Sequence, residues 1–263
     1  MPLGKPLPQT TAEPPTKDEI DRIVRNWNQA HPKYKGLLEA KPYELGEDSD
    51  WYWSQTDRQY INKNDVKVKD SLVAGLLLSL LVGRKLSDAK TAGLMGYSQL
   101  SEGLKSGSLS IADWQAGMRE LIKINQSTSL LLANGGSEFV TQSDYSYLVD
   151  RINKQFAYLD GFAKDIANNP EKWMSGRLDN RMRLYQESAY SAYENARRRE
   201  ATLGGMDEER RLLGVADHCG DCLEAAALGW QPIGTLPEIG DSVCTTNCHC
   251  EFEYRKAGEN DTD

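Results

Sequence analysis

Apolar residues recur at helical spacing along most of this chain, which predicts a mainly α fold: a helical body with long paired helices and a small C-terminal module holding a short β element. Three observations predict it. Stripes at steps of three and four run through residues 145–166 and 178–196. Capping residues and Gly or Pro breaks bound those stripes. All 5 cysteines fall between Cys219 and Cys250, where the helical period is lost.

Residues 1–16, MPLGKPLPQTTAEPPT, hold half of the 10 prolines and almost no apolar period, so they read as an extended or disordered arm that orders against a partner. Residues 17–137 form a helical N-terminal region. Thr16 with Glu19 makes a capping box, and Ile20, Ile23, Val24 and Trp27 mark one helix face that stops near Pro32. From Lys41 to Asp65 the text is irregular, with Trp51, Trp53 and Tyr60 expected to fill core beneath a long loop. A core helix is expected from Val68 to Val82, and short helical pieces over 83–109. Ser110 with Asp113 caps the next helix, whose apolar residues are Ile111, Trp114, Met118, Leu121, Ile122 and Ile124, and Gly135-Gly136 breaks it.

The long helices occupy residues 138–205. Thr141 or Ser143 caps the first; Tyr145, Leu148, Ile152, Leu159, Phe162 and Ile166 form its stripe, and Asn168, Asn169 and Pro170 close it. The second runs from Gly176 to Leu203, with a seam of Leu178, Met182, Tyr185, Ala189, Ala192 and Ala196. The arginines of 177–211 are nearly balanced by carboxylates, which reads as a solvated helix face rather than a nucleic-acid contact. Residues 206–256 form the cysteine-rich module, in which CHCEFEYR alternates and places Cys250, Phe252 and Tyr254 on one face of a strand. Residues 257–263 are an acidic tail.

Composition removes several function classes. The formal charge of -8 gives no overall basic footprint for nucleic acid. The longest apolar run, Leu72 to Val82, is too short to span a bilayer, so no membrane role is expected. The opening residues lack the apolar core of a secretion signal, which points to folding in a cytosol. G-x-S-x-G, Walker and G-x-G-x-x-G motifs are missing, and HCGDC lacks the H-x-E and P-C-x-x-C of zinc deaminases, so no enzyme is expected.

The cysteines read C-x2-C-x21-C-x3-C-x-C. Clustered in a reducing compartment, such spacing signals metal binding before disulfides. Four thiolates at the corners of a tetrahedron make a structural zinc site, and the metal supplies folding energy that so small an apolar core cannot. The candidate ligands are Cys219, Cys222, Cys244, Cys248 and Cys250, four of which would hold one Zn2+ per chain. Cys219 and Cys222 are the surest pair, and Cys244 fits geometrically with either Cys248 or Cys250. His218 and His249 are reserve ligands that read more simply as solvated flanks. A closed tetrad leaves no position for a reacting water.

The order of RLDNRMRLYQESAYSAYENARRR, then LLGVADHCGDC, then GWQPIGTLPEIGDSVCTTNCHCEFEYR resembles the C-terminal half of the Mu gene-F-like phage head morphogenesis proteins. The likeness covers about residues 140–255. Cys219 and Cys222 match the family's C-x-x-C, and Cys248 and Cys250 its terminal C-x-C. Where the family often has His-Pro, this chain has Cys244, leaving the third ligand open between Cys244 and Cys248. The resemblance implies a minor capsid protein assembled in the host cytoplasm into a virion, near the portal. Its partners would be the portal or major capsid protein, with packaged DNA as a further contact, in several copies within a larger assembly. The competing expectation is a cytosolic zinc-ribbon adaptor that binds nucleic acid or a regulatory protein.

Overall fold

The computed structural model describes residues 4–13, 15–30, 43–44, 50–54, 59–62, 96–134 and 140–258. Helix α1 spans Lys17–Ala30 and starts on the expected capping box. The Thr16 N–H donates to Glu19 Oε2 at 2.9 Å, and the Glu19 N–H returns to Thr16 Oγ1 at 3.2 Å. Ile20, Ile23 and Val24 are buried as the stripe requires. The next described elements are three short antiparallel strands, β1 (Tyr43–Glu44), β2 (Asp50–Ser54) and β3 (Gln59–Asn62), in that order in one sheet. Residues 41–65 were expected to be irregular, and this sheet corrects that for the strands. Trp53 lies opposite Tyr60 in its register, so the aromatic residues mark a β-hairpin. The helix expected over Val68–Val82 lies outside the described residues, as do Gly135 and Gly136.

Residues 96–106 belong to α2. Ser110 then caps α3, Ile111–Ala133, by accepting from the Asp113 N–H. Thr141 and Asp144 close a reciprocal capping box on α4, Gln142–Asn168. Pro170, at the first helical position, opens the short α5, Pro170–Trp173. Helix α6 is Gly176–Leu203.

The two long helices are joined by α3, which lies close against both, while α4 and α6 meet through long side chains such as Arg199 and Asp144, 3.3 Å apart. Trp114, Met118, Leu131, Ile152, Leu159, Leu178 and Met182 fill the core between them. Burying such side chains supplies about 1.5–3 kcal/mol each against exposure, which is what holds the helices together.

The N-terminal arm lies along α3 and α4 of its own chain. Gln115 Oε1 accepts from the Leu7 N–H at 2.7 Å, Asn153 Oδ1 from the Ala12 N–H at 2.5 Å, and Arg119 donates to the Pro8 carbonyl at 2.9 Å. A proline-rich strip cannot pair its own backbone, so these side chains satisfy it instead.

After Gly205, at φ 75°, the chain enters β4, Glu208–Leu212. β4 is the centre of a second antiparallel sheet, between β5 (Gln231–Pro232) and β6 (Glu251–Arg255). The arginine stretch therefore ends in a strand, not on a solvated helix. Each of its faces carries an acid followed by a base instead of an apolar row. Arg210 and Glu208 face their cross-strand partners Glu253 and Arg255, with N···O distances of 2.5 and 2.6 Å. Glu209 and Arg211 point inward and are buried.

Candidate metal centre

Two turns and one strand end bring the cysteines together. Cys219 is the N-cap of α7, Gly220–Ala227, and Cys222 lies in that helix's first turn. A 3-10 turn, Thr245–Asn247, separates Cys244 from Cys248, and Cys250 immediately precedes β6. Cys222, Cys248 and Cys250 are buried, Cys219 and Cys244 half-buried, and all five are free thiols. Two groups of three have sulfurs within 4.8 Å of one another: Cys219, Cys222 and Cys244, and Cys222, Cys248 and Cys250. Cys222 belongs to both. Its Sγ is 3.6 Å from Cys244 Sγ and 3.8 Å from Cys248 Sγ. Thiolates held at about 2.3 Å around a tetrahedral zinc stand about 3.8 Å apart, so these separations suit a metal and are far too long for a disulfide. The cluster could hold a metal ion, and its all-sulfur donor set favours a soft or borderline one.

The reserve histidines separate. His218 Nε2 lies 2.8 Å from the Gly214 carbonyl, and its Nδ1 is 3.7 Å from Cys250 Sγ, so it touches the cluster from outside. His249 is exposed, with its ring 6.2 Å from that of Tyr190. The blander reading, two solvated flanks, holds for His249 alone.

Without metal the thiols differ in their affinity for a proton. Burial pushes Cys244 well above the ordinary thiol range, reinforced by its hydrogen bond with Cys222. Burial, together with the charge of Cys248, pushes Cys250 up to about 12. Burial also acts on Cys248, but backbone N–H groups of Cys250 and Gly240 donate to its sulfur and hold it below the ordinary value. Of these three thiols, Cys248 gives up its proton most readily.

Sequence reading missed the residues that fix this cluster. Arg211 reaches from β4 to place its guanidinium 3.7 Å from Cys222 Sγ and also donates to the Pro237 carbonyl. A divalent ion bound by four thiolates is a buried dianion, so the adjacent guanidinium offsets charge that would otherwise be costly to bury. Arg198 of α6 pairs with the fully buried Glu209 through Nε at 2.6 Å, and Glu209 also accepts from the Gly234 and Leu236 N–H groups. Both guanidiniums lie over the Phe252 ring, 4.8 and 5.2 Å from its centroid.

Helix α6 is the platform for the module. Asn195 grips Ile239 twice, accepting from its N–H and donating to its carbonyl, each at 3.2 Å. Tyr190 donates its hydroxyl to the Cys250 carbonyl at 3.1 Å. This explains why polar residues such as Ser191, Glu194 and Asn195 are buried on a helix whose apolar seam already faces the core. The available signal was in their polarity: Asn and Arg on the face opposite the seam are suited to binding irregular backbone.

Comparison of the chain with protein-family models, curated proteins and solved structures finds no match. Among the described residues no helix is long and apolar enough to cross a membrane.

Proposed function

We propose that this chain is a structural protein of a tailed-phage virion, a minor capsid or head morphogenesis protein associated with the portal or capsid. One zinc ion would fix its C-terminal module, which side chains of the long helix α6 hold in place. The observation that carries the reading is the convergence of all five cysteines into one cluster clamped to α6. It accords with the resemblance, which runs from the arginine- and alanine-rich helix into C-x-x-C and C-x-C. Zinc fits the donor set, because four thiolates close its coordination and leave a purely structural ion. The reading assigns the chain no turnover.

The arginines support a protein-facing role over the nucleic-acid adaptor. Arg198 is held by Glu209, Arg199 by Asp144 at 3.3 Å, Arg197 by Glu194 at 3.4 Å and Arg210 by Glu253. Paired guanidiniums release few counterions, so DNA binding with a steep salt dependence is not expected.

Quantitative mass spectrometry of purified, nuclease-treated phage particles tests the virion role. A few copies per particle are expected; absence from mature particles and from assembly intermediates would overturn it. Native mass spectrometry of protein purified without added metal tests the ion. One zinc per folded chain is expected, and a fully folded metal-free species would refute the staple.

A further inference from the structure

A cavity of about 300 Å³ lies between α4, α6 and the module loop that carries Gly240 and the 3-10 turn. That is the size at which pockets begin to take small organic groups. Three cations line it, and two are already neutralised by the module itself. Arg151 meets Glu238 at 3.2 Å and Lys154 meets Asp241 at 3.3 Å. Arg181 has no carboxylate partner among the described residues; its guanidinium lies 5.7 Å from the centroid of the Phe162 ring. Tyr185 and Thr246 also line it, each with a hydroxyl that is shielded from water and meets no partner among the described residues. Leu184 and Ile239 make the wall between them apolar.

We propose that this cavity receives the carboxylate of a Glu or Asp side chain, presented beside an apolar residue on a peptide segment of a partner protein. One unpaired guanidinium balances one negative charge, and its planar fork matches a carboxylate bidentately. A phosphate dianion fits worse. It would have to take Arg151 and Lys154 from Glu238 and Asp241, whose own charges would repel it. The apolar wall suits a side chain on a peptide better than a free inorganic anion.

The cysteine cluster sets the cavity's shape. The turn bearing Thr245 and Thr246 spans the interval from Cys244 to Cys248. Thr245 sits at φ 48°, a costly conformation for a β-branched residue that surrounding structure must hold. Gly240, at φ 94°, lets the loop close on α6, since a Cβ there would come within 3.1 Å of Ser191 Cβ. Metal removal should therefore loosen the wall and weaken the peptide. The proposal rests on the docking role above only for which protein supplies the segment. Particle composition tests that role separately, so the two can fail independently.

The test is an NMR titration of the full, metal-bound chain with the blocked tripeptide acetyl-Leu-Glu-Leu-amide, its Gln counterpart and inorganic phosphate. The Glu peptide should shift the Gln155 side-chain amide and the Thr246 backbone amide saturably. Replacing the peptide's Glu by Gln, or the protein's Arg by R181Q, should weaken binding about tenfold or more. R181K should recover part of the loss, because it restores charge without the fork. Equal response to the Glu and Gln peptides, tighter binding of phosphate, or no shift up to about 10 mM peptide would each overturn the proposal. The Glu–Gln peptide comparison on the unaltered chain decides the matter even if R181Q fails to fold.

Discussion

Cys222 sits where the two groups of three thiols overlap, so its loss removes a donor from either way of completing a tetrad. Cys222→Ser breaks both groups and should abolish stoichiometric zinc, whereas Cys219→Ser or Cys250→Ser leaves one group of three intact and should only weaken binding, as a competition with a zinc chelator would measure. Glu209 poses a different problem at the same scale. It has no exposure, and Arg198 is its ion-pair partner among the described residues. Arg198→Met would strand a buried carboxylate, at a cost of about 3–5 kcal/mol read from denaturant unfolding. Gly214 matters through space alone, since a Cβ there would meet the His249 carbonyl oxygen at 2.1 Å. The loop carrying Cys248 and Cys250 would have to move, so Gly214→Ala should destabilise the module and lower its zinc affinity while α3 and α4 keep their helicity. Equal zinc affinity in that variant would show that the loop gives way freely.

Among the elements, the helices behave as their capping residues dictate. The Thr16 backbone N–H holds the Glu19 carboxyl below the ordinary glutamate value, against a smaller opposing effect of burial. A carboxyl bound more tightly as an anion in the folded state adds stability above its unfolded pKa and loses it as pH falls through the folded one. Glu19→Gln should therefore lower the melting temperature near neutrality and make no difference well below pH 4.5. Glu19 keeps about a third of its side chain exposed, 33%, so the effect belongs at the low end of capping energies, about 0.5 kcal/mol. The strands obey another rule. β4 puts an acid followed by a base on each of its faces, and its inward Glu209 and Arg211 are tolerated only because α6 and the loops at Leu236 and Pro237 supply partners. A pattern without apolar alternation gave no strand signal, and the segment read as the continuation of a charged helix.

For the molecule as a whole, the helical body and the cysteine module draw on different sources of stability. The body has a continuous core from α1 to α6. The module's own cluster is small, consisting of Cys222, Ala225, Leu236, Ile239, Cys248, Cys250 and Phe252. Three of those seven are cysteines, so apolar burial alone holds little there and a metal should contribute most of the difference. Stripping the metal with a chelator should raise hydrogen exchange across residues 206–256 and at the Asn195 contact, while α3 and α4 remain protected. Uniform loss of protection throughout the chain would show instead that body and module unfold as one unit.

Periodicity and capping chemistry by themselves determined the long helices of this protein, because both depend on residues three or four apart: Thr141 with Asp144, and the seam from Leu178 to Ala196. The cysteine spacing determined that a thiol cluster exists. Other features needed chain brought together from afar. The burial of Arg198 and Arg211, the docking of the arm on Gln115 and Asn153, and the cavity beside Arg181 all join residues distant in sequence. A charged residue has the same local signature whether it ends in water or against a buried partner. Only the fold decides which, by placing Glu209 opposite Arg198 and leaving Arg181 with no carboxylate partner among the described residues.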